Sequence, residues 1–338
     1  MGTVLLRGST TSYDIRAQLN GKKGVNVIGE GCEGAFPEIV NRPITKLVWN
    51  GASGGTMFST LDTEQYVGEI SNMTLDGNNL ANIGLQLIQP QGSLFRNLTV
   101  KNTKAGGQGV LLTAVSAING NAVLNTFLNV RSHDHANVGF ELFGANDTHV
   151  VTLNDFINCR FSANAISLRI NQYADTNQWF GGRIEAMDSA IGLVLGEGNM
   201  VGVYQNNFHS TTFDGFGSGA IGIQCKQTET GQPHVFHACP FGGTWGTKVN
   251  PLSGSLMKFR ECPNFVTRNS GVSTGTGAQQ SIAHGLNVTP SRVVLSDWST
   301  GSANARQSAG ADSTYIYVTA TLDKDYLWEA WLDYTNQV

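Results

Sequence analysis

Glu185 and Asp214 are the residues of this sequence best placed to do chemistry. Each directly follows the last apolar position of a short pattern, in Arg183-Ile184-Glu185 and Thr212-Phe213-Asp214. On a strand, an apolar residue that points inward leaves its neighbour pointing outward. Parallel strands that are neighbours lie about 4.7–4.9 Å apart. Two carboxyl groups so placed match the ~5–5.5 Å separation of retaining glycosidases, or, splayed, the ~6.5–9.5 Å of inverting ones. Like charges this close raise one pKa, which yields an acid and a base from one pair. The competing reading is a polar exterior column that serves solubility alone.

Arg131, Arg160 and Arg183 fall two positions before that column and form a second one. Stacked guanidinium groups can clamp uronate, sialate or other acidic sugars. They can also stabilise the enolate that develops in a lyase. Pairing with Asp155, Glu185 or Asp188 is the structural alternative. His133 stands in the acid column two residues after Arg131 and joins the arginines as a candidate substrate contact. In Ser132-His133-Asp134-His135, two histidines at alternate positions would share a strand face. Zinc takes three or four ligands and no third is evident, so a surface loop is expected and no metal or other cofactor. Five cysteines without a C-x-x-C pair read, for most of them, as small buried hydrophobes.

Such residues need a scaffold that stacks strands in register. One pattern recurs: apolar, any, Asn or small, any, Thr or Arg, apolar. It begins at Ile70, Phe95, Phe127, Phe156, Trp179, Phe208 and Phe236. The intervals fit the roughly 20–50-residue period of solenoid coils, and their variation fits loops of different length between short strands. Continuing each pattern by one residue gives the column Asp76, Lys101, His133, Ser162, Glu185, Asp214, Gly242. A second strand follows in each coil, for example Ile83-Gly84-Leu85-Gln86-Leu87, Val138-Gly139-Phe140-Glu141-Leu142 and Ile191-Gly192-Leu193-Val194-Leu195. Asn72, Asn97, Asn129 and Asn158, joined by Gly181 and Ser210, share one turn position. Asn and Gly tolerate the left-handed conformation of a sharp bend, and stacked Asn side chains can bond along the column. Trp179 takes an inward place, which leaves Phe180 outside.

The fold expected is therefore all-β, a right-handed parallel β-helix over residues 1–269. Ser270 to Ala278 is rich in Gly, Ser and Thr and reads as a linker. Residues 270–338 then carry strand patterns with many Trp and Tyr, read as a small antiparallel β-sandwich for oligomerisation or glycan binding. Only 14% of the 338 residues are charged and the net charge is −4, which disfavours nucleic acid as a partner. No apolar run approaches membrane-spanning length, so no membrane insertion is expected.

Several segments resemble bacteriophage tailspikes and related pectate-lyase-like β-helix proteins: Gly24-Val25-Asn26-Val27-Ile28-Gly29-Glu30-Gly31, Asn177 through Glu185, and Asn206 through Asp214. Ile282-Ala283-His284-Gly285-Leu286 with Thr289-Pro290 resembles C-terminal segments of phage tail proteins. The resemblance spans nearly the whole chain but carries no universal catalytic signature. It implies a parallel homotrimer on a virion tail that binds a bacterial capsule or O-antigen on its lateral surface and cuts it by endo-glycosidic hydrolysis. It also implies a particle-binding head domain, which this sequence does not display, as expected of a piece of a longer protein. A non-catalytic tail-fibre module and a secreted polysaccharide lyase are the alternatives.

Overall fold

The computed structural model describes residues 2–33, 43–60, 65–115, 120–196, 202–226, 232–250, 257–286, 289–298 and 303–332. Every element there is a strand. From Gly2 to Arg260 the strands pair in parallel, coil upon coil. The pairing follows the register of the repeat. Ile70 opposes Phe95, which opposes Phe127, and the line continues through Phe156, Trp179, Phe208 and Phe236. It extends one coil further, to Phe259.

These rings stack inside the solenoid, with centroids 4.9 Å apart for Phe95–Phe127, 4.6 Å for Phe127–Phe156 and 4.5 Å for Trp179–Phe208. Strand spacing sets ring spacing, and offset-stacked pairs at that distance add ~0.5–1.5 kcal/mol each beyond burial. Trp179 is buried and Phe180 is exposed, as the alternation requires.

The outer turn column behaves as expected. Asn72, Asn97, Asn129 and Asn158 all have φ between 50° and 57°. Each Nδ2 donates to the Oδ1 of the preceding member, at 2.9, 3.1 and 2.7 Å. A second ladder runs inside: Asn125, Asn154, Asn177 and Asn206 lie buried two residues before the first ring of their coils. Asn154 Nδ2 donates to Asn177 Oδ1 at 2.8 Å and to the Ala122 carbonyl at 3.0 Å. Its Oδ1 accepts the Asn125 N–H at 3.1 Å.

Two three-stranded antiparallel sheets follow the coils. Asp325–Trp331 pairs with Arg268–Thr274 and Arg292–Asp297, and Tyr315–Thr319 with Gln279–Ala283 and Arg306–Ala309. Ile316 and Val318 of one sheet share a core with Tyr326, Trp328 and Ala330 of the other. The expected linker is corrected in part, since residues 270–274 belong to the strand Arg268–Thr274. Their small side chains leave the backbone free to pair with Asp325–Trp331, and Gly271 lies against the Trp328 ring.

Candidate functional site

The site lies on the outer face of one parallel sheet. Its strands are Glu69–Asp76, Leu94–Lys101, Arg131–His133, Arg160–Ser162, Arg183–Met187 and Thr212–Cys225. Arg131 opposes Arg160, Arg160 opposes Arg183, and Glu185 opposes Asp214. The register thus brings together all the expected residues on neighbouring strands.

Their setting differs from a free acidic pair. Glu185 is 4% exposed and Asp214 9%. Both side chains are on the outer face, but arginines cover them. Arg160 bonds Glu185 Oε1 through Nε at 3.1 Å and Nη2 at 2.8 Å. Arg183 Nε lies 3.0 Å from Glu185 Oε1 and also bonds Asp214 Oδ2. One guanidinium therefore bridges the two carboxylates and counters the repulsion on which the acid–base expectation rests. Gly242 follows Asp214 in the column, and a Cβ there would collide with Asp214 Oδ1. Glycine keeps that side of the carboxylate uncovered.

The arginine column divides. Arg160 and Arg183 pair with Glu185, not with Asp155 or Asp188. Their side chains remain 38% and 41% exposed, so both guanidinium groups still face solvent. Arg131 has no hydrogen bond or ion pair with any described residue. Burial, and then the neighbouring Arg160 charge, push its pKa below the ordinary arginine value against a smaller opposing effect of Cys32.

His133 shares the outer face, with Nδ1 2.7 Å from Asp134 Oδ2. His135 does not join it. Asp134 has a φ of 59°, which ends the strand, and His135 turns into the interior instead of lying on a surface loop. Its Nδ1 faces Thr103 Oγ1 at 2.8 Å and its Nε2 the Val100 carbonyl at 3.1 Å. The two histidines cannot chelate together. Among the described residues no group of three or more metal-ligating side chains forms.

At the other end of the sheet Asp76 and Lys101 form an ion-pair cluster with Lys46 and Glu33. Lys46 Nζ lies 3.2 Å from Glu33 Oε1 and 3.0 Å from Asp76 Oδ2, and Lys101 bonds Glu33. Burial alone would raise the Asp76 carboxyl, but Lys46, Asn102 and the Asn78 N–H outweigh it and hold the pKa below the ordinary value. Past the acid pair, Met187 and Phe216 oppose each other as exposed apolar side chains. The Arg183 guanidinium carbon is 5.9 Å from the Phe216 ring centroid. Both residues sit two positions after an acid on the same strand face, so the alternation that located Glu185 and Asp214 could have located them.

No protein-family model matches the chain, and no curated protein does. Solved structures do. ORF18 of Geobacillus virus E2 is 14% identical with a TM-score of 0.51, over 95% of this chain and 69% of that one. Tailspike gp49 of Acinetobacter baumannii bacteriophage Fri1, described as a capsular polysaccharide depolymerase, is 11% identical with a TM-score of 0.45, over 97% and 79%. The periplasmic alginate epimerase AlgG is 12% identical with a TM-score of 0.45, over 77% and 76%. At 14% identity the likeness to ORF18 is one of fold alone.

Proposed function

We propose that this chain is a receptor-binding protein of the tailspike type, which recognises a bacterial surface polysaccharide along its lateral face and cuts it by hydrolysis. The observation that carries the reading is the pair Glu185 and Asp214, set on adjacent strands and meeting at one arginine nitrogen. Two acids on adjacent strands, covered by Arg160 and Arg183 and flanked by Arg131, support this reading.

Cleavage requires the bridge to open. The incoming sugar draws Arg183 towards its own oxygens, over the Phe216 ring. The two carboxyl groups then face the glycosidic bond. One acts as the general acid and gives a proton to the leaving oxygen. The other activates water or takes the glycosyl group, and water restores both. Arg131, Arg160 and His133 hold flanking sugars.

The chain acts, on this reading, as a homotrimer on a virion tail. Residues 1–269 form the glycan-binding domain and residues 270–338 a second domain that holds the subunits together. A binder that does not cut is the second reading, and the Arg183 bridge is the observation in its favour.

Incubation of the purified protein with host capsules and O-antigens separates these readings. Hydrolysis gives shortened chains without new ultraviolet absorbance, whereas a lyase creates an unsaturated uronate that absorbs. Glu185→Gln and Asp214→Asn are each expected to slow cleavage on the order of 10²–10⁴-fold while the protein still retains the polysaccharide. Unchanged cleavage by Glu185→Gln contradicts the assignment.

A further inference from the structure

We infer that the glycan taken by this face is acidic, and that one sugar carboxylate seats at Arg131 beside Arg160, with the chain running along the solenoid axis towards Phe216. This rests on the reading of the lateral face as the glycan site, and it names the substrate class and the direction.

The charges around Arg131 do not balance locally. In the cluster of Arg131, Arg160, Arg183, Glu185 and Asp214, the two carboxylates are engaged by Arg160 and Arg183. Arg131 is left half-buried, with no hydrogen bond or ion pair among the described residues, and among them Cys32 is the one side chain that favours its charge electrostatically. Its opposing neighbour is another arginine, one strand spacing away. A cation so placed is stabilised by an anion, and the planar guanidinium fork fits a carboxylate through two parallel bonds. The lowered pKa of Arg131 agrees with this setting.

Thr74, Thr99, Arg131, Arg160 and Arg183 form one line across the strands. The first two are bonded to the chain at Glu33. Its N–H donates to Thr74 Oγ1 at 2.8 Å, and its carbonyl accepts Thr99 Oγ1 at 2.7 Å. That segment closes the line at one end, and Arg131 is the next position. Two strand spacings, roughly 10 Å, separate Arg131 from the strand of Glu185. The carboxylate held there therefore belongs to a sugar neighbouring the one that is cut. At the other end Phe216 is 48% exposed, with no aromatic ring stacked on it among the described residues. It offers an apolar surface to the C–H face of a sugar beyond Asp214.

The test follows the Nε–Hε resonance of Arg131 in the intact protein, assigned by its loss in Arg131→Gln. Glucuronate, galacturonate and N-acetylneuraminate are titrated in turn, with glucose and galactose as neutral controls. At least one acid is expected to shift the resonance saturably, and neither control to do so. No response to any of the three acids overturns the seat, and the measurement needs no variant to bind. In parallel, a polysaccharide retained by the protein is compared with its carboxyl-reduced form. Reduction, or Arg131→Gln, is expected to weaken retention roughly ten- to hundredfold. Equal retention of the reduced polymer overturns the acidic class but leaves a polysaccharide-acting protein. An Arg131 response without retention of any polysaccharide supports the seat and counts against the reading it rests on.

Discussion

His135 sits between Thr103 and the Val100 carbonyl, and a second proton on its Nδ1 would face the Thr103 N–H at 3.3 Å. Burial pushes its pKa down to about 4 from 6.5. The unfolded chain takes up this proton near pH 6.5 and the folded one does not until about pH 4. Stability is therefore complete above the unfolded value and falls as pH drops from 6.5 towards 4, by on the order of 3 kcal/mol from this residue. Urea midpoints at pH 7 and pH 4.5 check this: the wild type is expected to lose stability between them, and His135→Gln to show a shallower loss. The residues of the candidate site were legible because alternation along strands of known spacing fixes which Cα atoms are neighbours. The Arg183 bridge was not, since it depends on the conformation of a long side chain. The place of His135 is not legible from alternation because the turn at Asp134 breaks it.

At the scale of the element, the two asparagine ladders have different energetic roles. The buried Asn154 amide bonds the coils on both sides, so Asn154→Ala takes the acceptor from the buried Asn125 N–H and removes one donor each from Asn177 Oδ1 and the Ala122 carbonyl. A cost of roughly 2–4 kcal/mol is expected. Asn158 lies on the outer turn with a φ of 52°. Asn158→Gly meets that conformation without steric cost and is expected to change stability by under about 1 kcal/mol. Unfolding rates in denaturant distinguish the two; similar rates would contradict the division of roles. The outer ladder was readable because Asn recurs inside the repeat. The inner one lies two residues before the repeat begins, in Asn125-Thr126-Phe127, Asn154-Asp155-Phe156, Asn177-Gln178-Trp179 and Asn206-Asn207-Phe208. A wider window on the same alignment contains it.

At the scale of the whole molecule, the parallel coils follow from the repeat and the antiparallel sheets from the change of rhythm after Cys262. The strand Arg268–Thr274 was hidden because its Gly and Ser residues carry little strand propensity; pairing with Asp325–Trp331 supplies what local preference lacks. Assembly is the proposal that belongs here. Light scattering on the intact chain is expected to give three times the 36.2 kDa chain mass, and a monomer would weigh against the tailspike reading. The central claim is that the lateral face binds a polysaccharide across the acid pair. A crystal structure of Asp214→Asn with an oligosaccharide of the polymer it retains tests this most directly. Sugars are expected along the axis from Arg131 to Phe216, with a glycosidic oxygen between residues 185 and 214. An oligosaccharide bound on another face would contradict the claim.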